Sequence, residues 1–208
     1  MMTKVFTYWS RCLCCRWYST KRRQKRFQIA DFLVASGHAR PAFVSGEAEA
    51  TTNRDRRHGF VVRLAELGIR SCLQEDGSAY SYEAGYEATK RLLRERKRPD
   101  AIFFASDVQA FGGMDMLRQA GIRIPQDISV VGYDDVPLAA WHGYGLTTIR
   151  QPIPQMVEAA LDMLGLGHLD YLATAPTTRL ILGTLIERSS TTERPGGGRR
   201  LEHRKGGP

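Results

Sequence analysis

Four short polar clusters stand out because each follows an apolar run. Ser45 ends Ala42-Phe43-Val44 and leads through Asn53 to Arg54, Asp55 and Arg56. Asp76-Gly77 leads to Tyr80. Ser106 and Asp107 follow the run from Ala101 to Ala105, and Tyr133, Asp134 and Asp135 follow the run from Ile128 to Gly132. Together they gather hydroxyls, carboxylates, guanidinium groups and an aromatic ring. A carboxylate accepts from two neighbouring hydroxyls, and a guanidinium offers a fixed fork of donors. An aromatic face covers the apolar side of a sugar ring or a base. The set suits a small polyhydroxylated ligand, with Arg56, Tyr80, Ser106, Asp107 and Asp134 as candidate contacts. Plainer roles stay open: Asp107 can cap a helix, Arg54 can be solvated, and Asp135 fits a turn better than a ligand contact.

Catalytic chemistry has less to rest on. Asp134 and Asp135 could form an acid/base or metal pair, but sequence neighbours need not point to one place, and no metal motif accompanies them. The chain has no G-x-S-x-G elbow, P-loop or G-x-G-x-x-G. Its histidines, His38, His58, His142, His168 and His203, form no H-x-x-x-H pair. Cys12, Cys14 and Cys15 lack the spacing of a structural zinc site, and Cys72 stands alone. No catalytic residue, metal or cofactor is expected, and the cysteines suit a reduced, cytosolic chain.

The polar clusters need a scaffold that brings them to one rim. Phe27, Ile29, Ala30, Leu33 and Val34 recur at helical spacing and stop at Gly37. Pro41 must open the strand through Val44, because proline has no N–H for a ladder. A helix capped by Asn53 carries Phe60 to Leu67 and ends at Gly68. Ile69 to Leu73 reads as a strand, and Ser81 opens a helix through Tyr86, Leu92 and Leu93. Ala101 to Ala105 has the continuous apolar character of a strand buried on both faces. Asp107 caps the next helix, which stops at Gly121, and Ile128 to Gly132 is the next strand. Later come a short extended stretch from Leu146 to Ile149, a helix over about 154–164 and a last strand over 180–186. The alternation implies βαβ units: an α/β fold, a mostly parallel sheet with helices on both faces. In such sheets ligands sit beyond the carboxyl ends of the strands, where the polar clusters fall.

The 208 residues suffice for one sizeable domain, and 42% hydrophobic with 25% charged residues is ordinary for a globular chain. The net charge of +8 collects in basic runs, Lys21 to Arg26 and Arg199 to Lys205, and suits solvated ends better than base reading. No apolar run is long enough for a membrane span, and the start has no secretory h-region. The division expected is a basic, cysteine-rich arm over 1–26, a folded domain over 27–190 and a disordered tail over 191–208, with flexibility beginning after Arg188.

The stretches Arg98 to Asp107, Ala120 to Asp135 and Leu146 to Pro152 resemble the sensor domain of the LacI/GalR family of bacterial transcription regulators. Gly37-His38, Asn53 to Phe60 and Gly183 to Ser189 fit the same pattern. The resemblance covers roughly residues 27 to 190. It implies a periplasmic-binding-protein-like fold of two α/β lobes with the ligand between them. It also implies Arg56 as the effector-clamping arginine, Asp134 as the cleft carboxylate and Tyr80 as the stacking aromatic. Ser106 stands where the family often has Asn, which removes one hydrogen bond or points to a different ligand. The partners implied are a small-molecule effector such as a sugar, a second copy in a homodimer, and DNA only through a helix-turn-helix that this sequence does not show. The chain is therefore expected to be a truncated member holding one lobe and parts of the other. The helix faces from Phe60 to Leu67 and from Tyr86 to Leu93 are candidate dimer contacts. The alternatives are a stand-alone sugar-binding protein of transport type, or an enzyme using Asp134 and Asp135.

Overall fold

The computed structural model describes residues 28–163 and 181–194. The arm expected over 1–26 and the end of the tail lie outside them. Helix α1, Gln28–Ala35, buries Ile29, Ala30 and Leu33. It closes where the His38 amide returns to the Leu33 carbonyl and Gly37 takes φ +84°, a conformation that favours glycine. Strand β1, Pro41–Ser45, follows with every residue buried, and proline does stand at its start.

Helix α2, Thr51–Glu66, begins before Asn53, so Asn53 is not its cap. The Asn53 side chain is buried and holds the incoming loop instead. It accepts from the Gly46 amide at 3.0 Å and donates to the Glu47 carbonyl at 3.1 Å. Strand β2, Leu73–Asp76, starts where Ile69 to Leu73 was expected to end. The Ile69 amide is spent on the Leu64 carbonyl in closing α2, and the chain must then cross to the sheet. Helix α3, Tyr82–Leu92, is capped by Ser81, which accepts from the Ala84 amide. Strand β3 is Ala101–Phe104, and helix α4 is Asp107–Gln119. The α4 cap is Ser106, not Asp107: Ser106 Oγ accepts from the Gln109 amide. Strand β4, Ser129–Val131, precedes a 3-10 turn over Pro137–Ala140. Strand β5, Thr148–Arg150, helix α5, Ile153–Met163, and strand β6, Thr184–Ile186, complete the described elements.

The first four strands form a parallel sheet in the order β2-β1-β3-β4. Alternation along the strands divides the core into two layers. Ala42, Val44, Ile102, Phe104 and Val130 pack with Ala88, Leu92, Met114 and Leu117 of α3 and α4. Phe43, Phe103 and Val131 pack with Leu33 of α1 and Phe60 and Leu64 of α2. The rings of Phe43, Phe60 and Phe103 meet at centroid separations of 5.1 to 6.1 Å. Phe60, Leu64, Ala88 and Leu92 are thus core, and those four side chains are not dimer contacts.

Strands β5 and β6 pair antiparallel as a second, two-stranded sheet. Two amides, of Gly132 and Asp134, tie it to the first by donating to the carbonyls of Thr147 and Ile149. The chain beyond Arg188 is held, not loose, as far as Arg194. Ser190 is buried, its Oγ donates to the Val130 carbonyl at 2.6 Å, and the Thr147 amide donates to that Oγ at 2.8 Å. The Arg194 amide donates to the Ser36 carbonyl, and its guanidinium to the Asp127 carbonyl. No helix among the described residues is long and apolar enough to cross a membrane.

Candidate functional site

The carboxyl ends of β1, β3 and β4 open onto one rim, and α2 lends it Arg56. This guanidinium donates from Nη1 to the Ala105 carbonyl at 2.7 Å, just past β3. Its Cζ also lies 3.7 Å from the centroid of the Tyr133 ring, a cation–π distance. Two contacts from different loops therefore fix its direction. Asp134 follows Tyr133 at φ +124°, and Asp135 at φ +57°. Asp134 Oδ1 accepts from Gln151 Nε2 at 2.6 Å, and its amide donates to the Ile149 carbonyl at 3.0 Å. Burial pushes its carboxyl above the usual range, partly offset by the Gln151 bond and the Arg56 charge. Arg56, Tyr133 and Asp134 are thus gathered together at the rim.

Tyr80 reaches the same end of the sheet through the loop after β2. Its ring lies against Gly46, where a Cβ would collide with it, and it borders the apolar layer beneath α2. Its hydroxyl is buried without a hydrogen-bond partner among the described residues. Gln109 braces this loop, donating to the Ser45 carbonyl at 2.8 Å and the Ala79 carbonyl at 2.7 Å.

Ser106 and Asp107 stand behind the rim. Ser106 is buried as the α4 cap. Asp107 is fully buried, accepting from Thr148 Oγ1 at 2.6 Å and the Val136 amide at 2.9 Å. Burial raises its pKa against those two bonds. Asp135 holds the turn: it accepts from Arg150 Nε at 2.5 Å and Arg188 Nη2 at 2.6 Å. Burial alone would raise its pKa, but the two guanidinium groups hold it low. The carboxylates of Asp134 and Asp135 thus engage different partners and do not form an acid/base pair. Among the described residues no cluster of three or more His, Cys, Asp or Glu side chains is arranged to hold a metal ion.

Gln109, Gln151, Arg150 and Arg188 were not singled out as site-building residues. Arg150, Gln151 and Arg188 sit within stretches that carried the family resemblance, which was the available signal. Gln109 had none, since its partners are backbone carbonyls far away in sequence.

A family model described as a periplasmic binding protein-like domain matches residues 30–191. The chain belongs to this family. It carries the sensor domain of LacI-type regulators, as its relatives show. It is 35% identical over 167 residues to the HTH-type transcriptional repressor PurR of Erwinia tasmaniensis, covering 79% of this chain and 48% of that one. It is 36% identical over 135 residues to the ribose operon repressor of Escherichia coli, covering 64% and 41%. Among solved structures, a LacI transcriptional regulator from a Rhodococcus species superposes with a TM-score of 0.73 at 32% identity, covering 82% of this chain and 62% of that one. The lac repressor dimer bound to operator and the anti-inducer ONPF does so with a TM-score of 0.71 at 29% identity, covering 81% and 57%. The chain spans about half the length, or less, of these curated relatives. The parallel sheet with helices on both faces is the periplasmic-binding-protein-like architecture of these sensor domains.

Proposed function

We propose that this domain senses a small polyhydroxylated effector, a sugar or a related ligand, and that occupancy of its rim governs a cytoplasmic transcription regulator. Arg56 and Asp134 hold the ligand hydroxyls, and Tyr80 covers its apolar face. Ser106 and Asp107 act from behind: one caps α4, the other ties the turn after β4 to β5. DNA contact belongs to the helix-turn-helix named in its relatives, and the regulator works as a homodimer without catalysing a reaction.

The observation that carries this reading is the placement of Arg56. A guanidinium fixed by a carbonyl and a tyrosine face, beside a half-buried carboxylate, presents donors and an acceptor that need no reorganisation to meet a diol. Ribose is the first probe, because one relative is named as a ribose operon repressor. Calorimetry with ribose and a panel of other sugars tests the reading. Binding should weaken by about tenfold or more in both Arg56→Ala and Asp134→Ala, the loss of roughly one charged hydrogen bond each. It should also weaken as pH falls through the raised Asp134 pKa, since protonation removes the acceptor. Sugar binding indifferent to both substitutions would refute the assignment.

A further inference from the structure

Strand β2 is the outer strand of the four-stranded sheet, and β1 is its only strand neighbour among the described residues. Its far side therefore carries Gln74 and Asp76 backbone groups with no ladder partner among the described residues, although the Asp76 carbonyl accepts from Arg91 Nη2 at 2.7 Å. Alongside lies a cavity of about 530 Å³, lined by Arg54, Asp55, Arg57, His58 and Val61 of α2 and Gln74 of β2. Arg54, Arg57, His58 and Val61 follow i, i+3, i+4, i+7 spacing and share one side of the helix. That flank adjoins the side that buries Asn53, Phe60 and Leu64, with Arg57 nearest to it, and turns away from Arg56, which reaches Ala105. Gln74 pairs in register with Phe43, so both side chains lie on the sheet face that α2 covers. The cavity is thus a trough between a helix flank and a free strand edge.

Its charge is unspent. Arg54, Arg57 and His58 make no side-chain hydrogen bond or ion pair among the described residues, whereas Arg63 of the same helix is taken by Asp31 and Glu66. Asp55 offsets one of the two guanidinium charges and leaves the trough basic. A strand edge beside a row of side chains is the arrangement by which a sheet accepts an added strand. Backbone pairing supplies attraction there, and the flanking side chains supply selectivity.

We propose that this trough docks an extended acidic segment of a partner protein, paired with β2 and placing carboxylates against Arg54 and Arg57. Charge decides the occupant. The basic runs of this chain, Lys21 to Arg26 and Arg199 to Lys205, carry the same sign as the trough. A second copy paired through β2 would bring another α2 flank of that sign against the first. A small free anion would use the guanidinium groups and leave the strand edge idle. The trough shares no residue with the Arg56 and Asp134 site.

The test uses the full 208-residue chain and a blocked peptide of about eight residues alternating glutamate and threonine, long enough for one strand. Anisotropy titration should show binding that falls about tenfold or more in the exposed-residue variant Arg54→Glu/Arg57→Glu and is unchanged in Arg56→Ala. Circular dichroism of each variant checks that the fold is kept. The same peptide N-methylated at alternate amides, presented in both registers, should bind at least tenfold more weakly because strand pairing is blocked. Equal affinity of the methylated peptides, of a lysine–threonine peptide, or of the double variant would overturn the proposal. So would no binding at all, or displacement of the peptide by inorganic phosphate at constant ionic strength.

Discussion

Asp134 and Asp135 are neighbours with opposite fates, and backbone conformation is the reason. Both hold positive φ, which aspartate tolerates better than most residues but which still costs about 1 to 3 kcal/mol per residue. The cost is met by the grip of Arg150 and Arg188 on Asp135. The Arg188 side chain is 16% exposed and that of Arg150 is 60% exposed, so the first bond is the stronger one. Arg188→Ala should destabilise the domain by about 3 kcal/mol, read as a lower urea midpoint, and Arg150→Ala by about 1 kcal/mol or less. Asp135→Asn combined with Arg188→Ala should cost less than the sum of the single changes, since both remove one interaction. A second carboxylate sets the acid limb of stability. Burial by itself would raise the Asp100 pKa, but His38 nearby and the amides of Ala39 and Arg40 bring it down to about 2. A depressed carboxylate stabilises the fold above its unfolded pKa, and that stability is lost as pH falls from about 4 to about 2. Asp100 is 4% exposed, so Asp100→Asn should remove about 2 kcal/mol at neutral pH and flatten stability between pH 4 and 2 in acid titration. Asp107 and Asp134, whose pKa values are raised, work in the opposite sense: each costs stability as pH rises through its folded pKa.

Helices α3 and α4 approach closely because each offers a glycine to the other. A Cβ on Gly85 would fall on the backbone of Gln109, and one on Gly112 on the backbone of Tyr82. Backbone cannot move aside as a side chain can, so Gly112→Ala should cost about 3 kcal/mol and lower the melting temperature, whereas Gly143→Ala, open to solvent, should change little. The order of elements was legible in the sequence, because apolar runs, Gly37, Gly68 and Gly121, and the Ser81 cap are local signals. The close contact of α3 and α4 was not, since a glycine in a helix announces only flexibility until its neighbour is known. The start of β2 was misread because Ile69 looks like a strand residue, while the chain needs it to close α2. Of the rim, Arg56 and Asp134 could be picked from strand ends and the resemblance. The burial of Asp107 could not, as it depends on Thr148 from a different sheet.

Among the described residues, the four-stranded layer is covered on both sides and the β5–β6 end is not. Helix α5 exposes Ile153, Met156, Val157 and Leu161, which share one side of the helix at i, i+3, i+4 and i+8, while Ala159 is buried. A stripe of that kind on a helix beside a two-stranded sheet calls for a cover. Met156→Lys together with Val157→Glu should therefore reduce self-association of this chain, measured by light scattering over a range of concentrations, with little loss of melting temperature. The segment from Arg188 to Arg194 crosses from the Asp135 turn, past Val130 and Thr147, to Ser36 and Asp127. Ribosomes deliver a chain from its amino end, and this segment comes last among the residues described. Until it has emerged, the Val130 amide, the Thr147 amide and the Ser36 carbonyl have no partner, and the closing edge of the sheet stands open. The nascent domain stays unfinished, and open to proteases, until the segment through Arg194 has been translated.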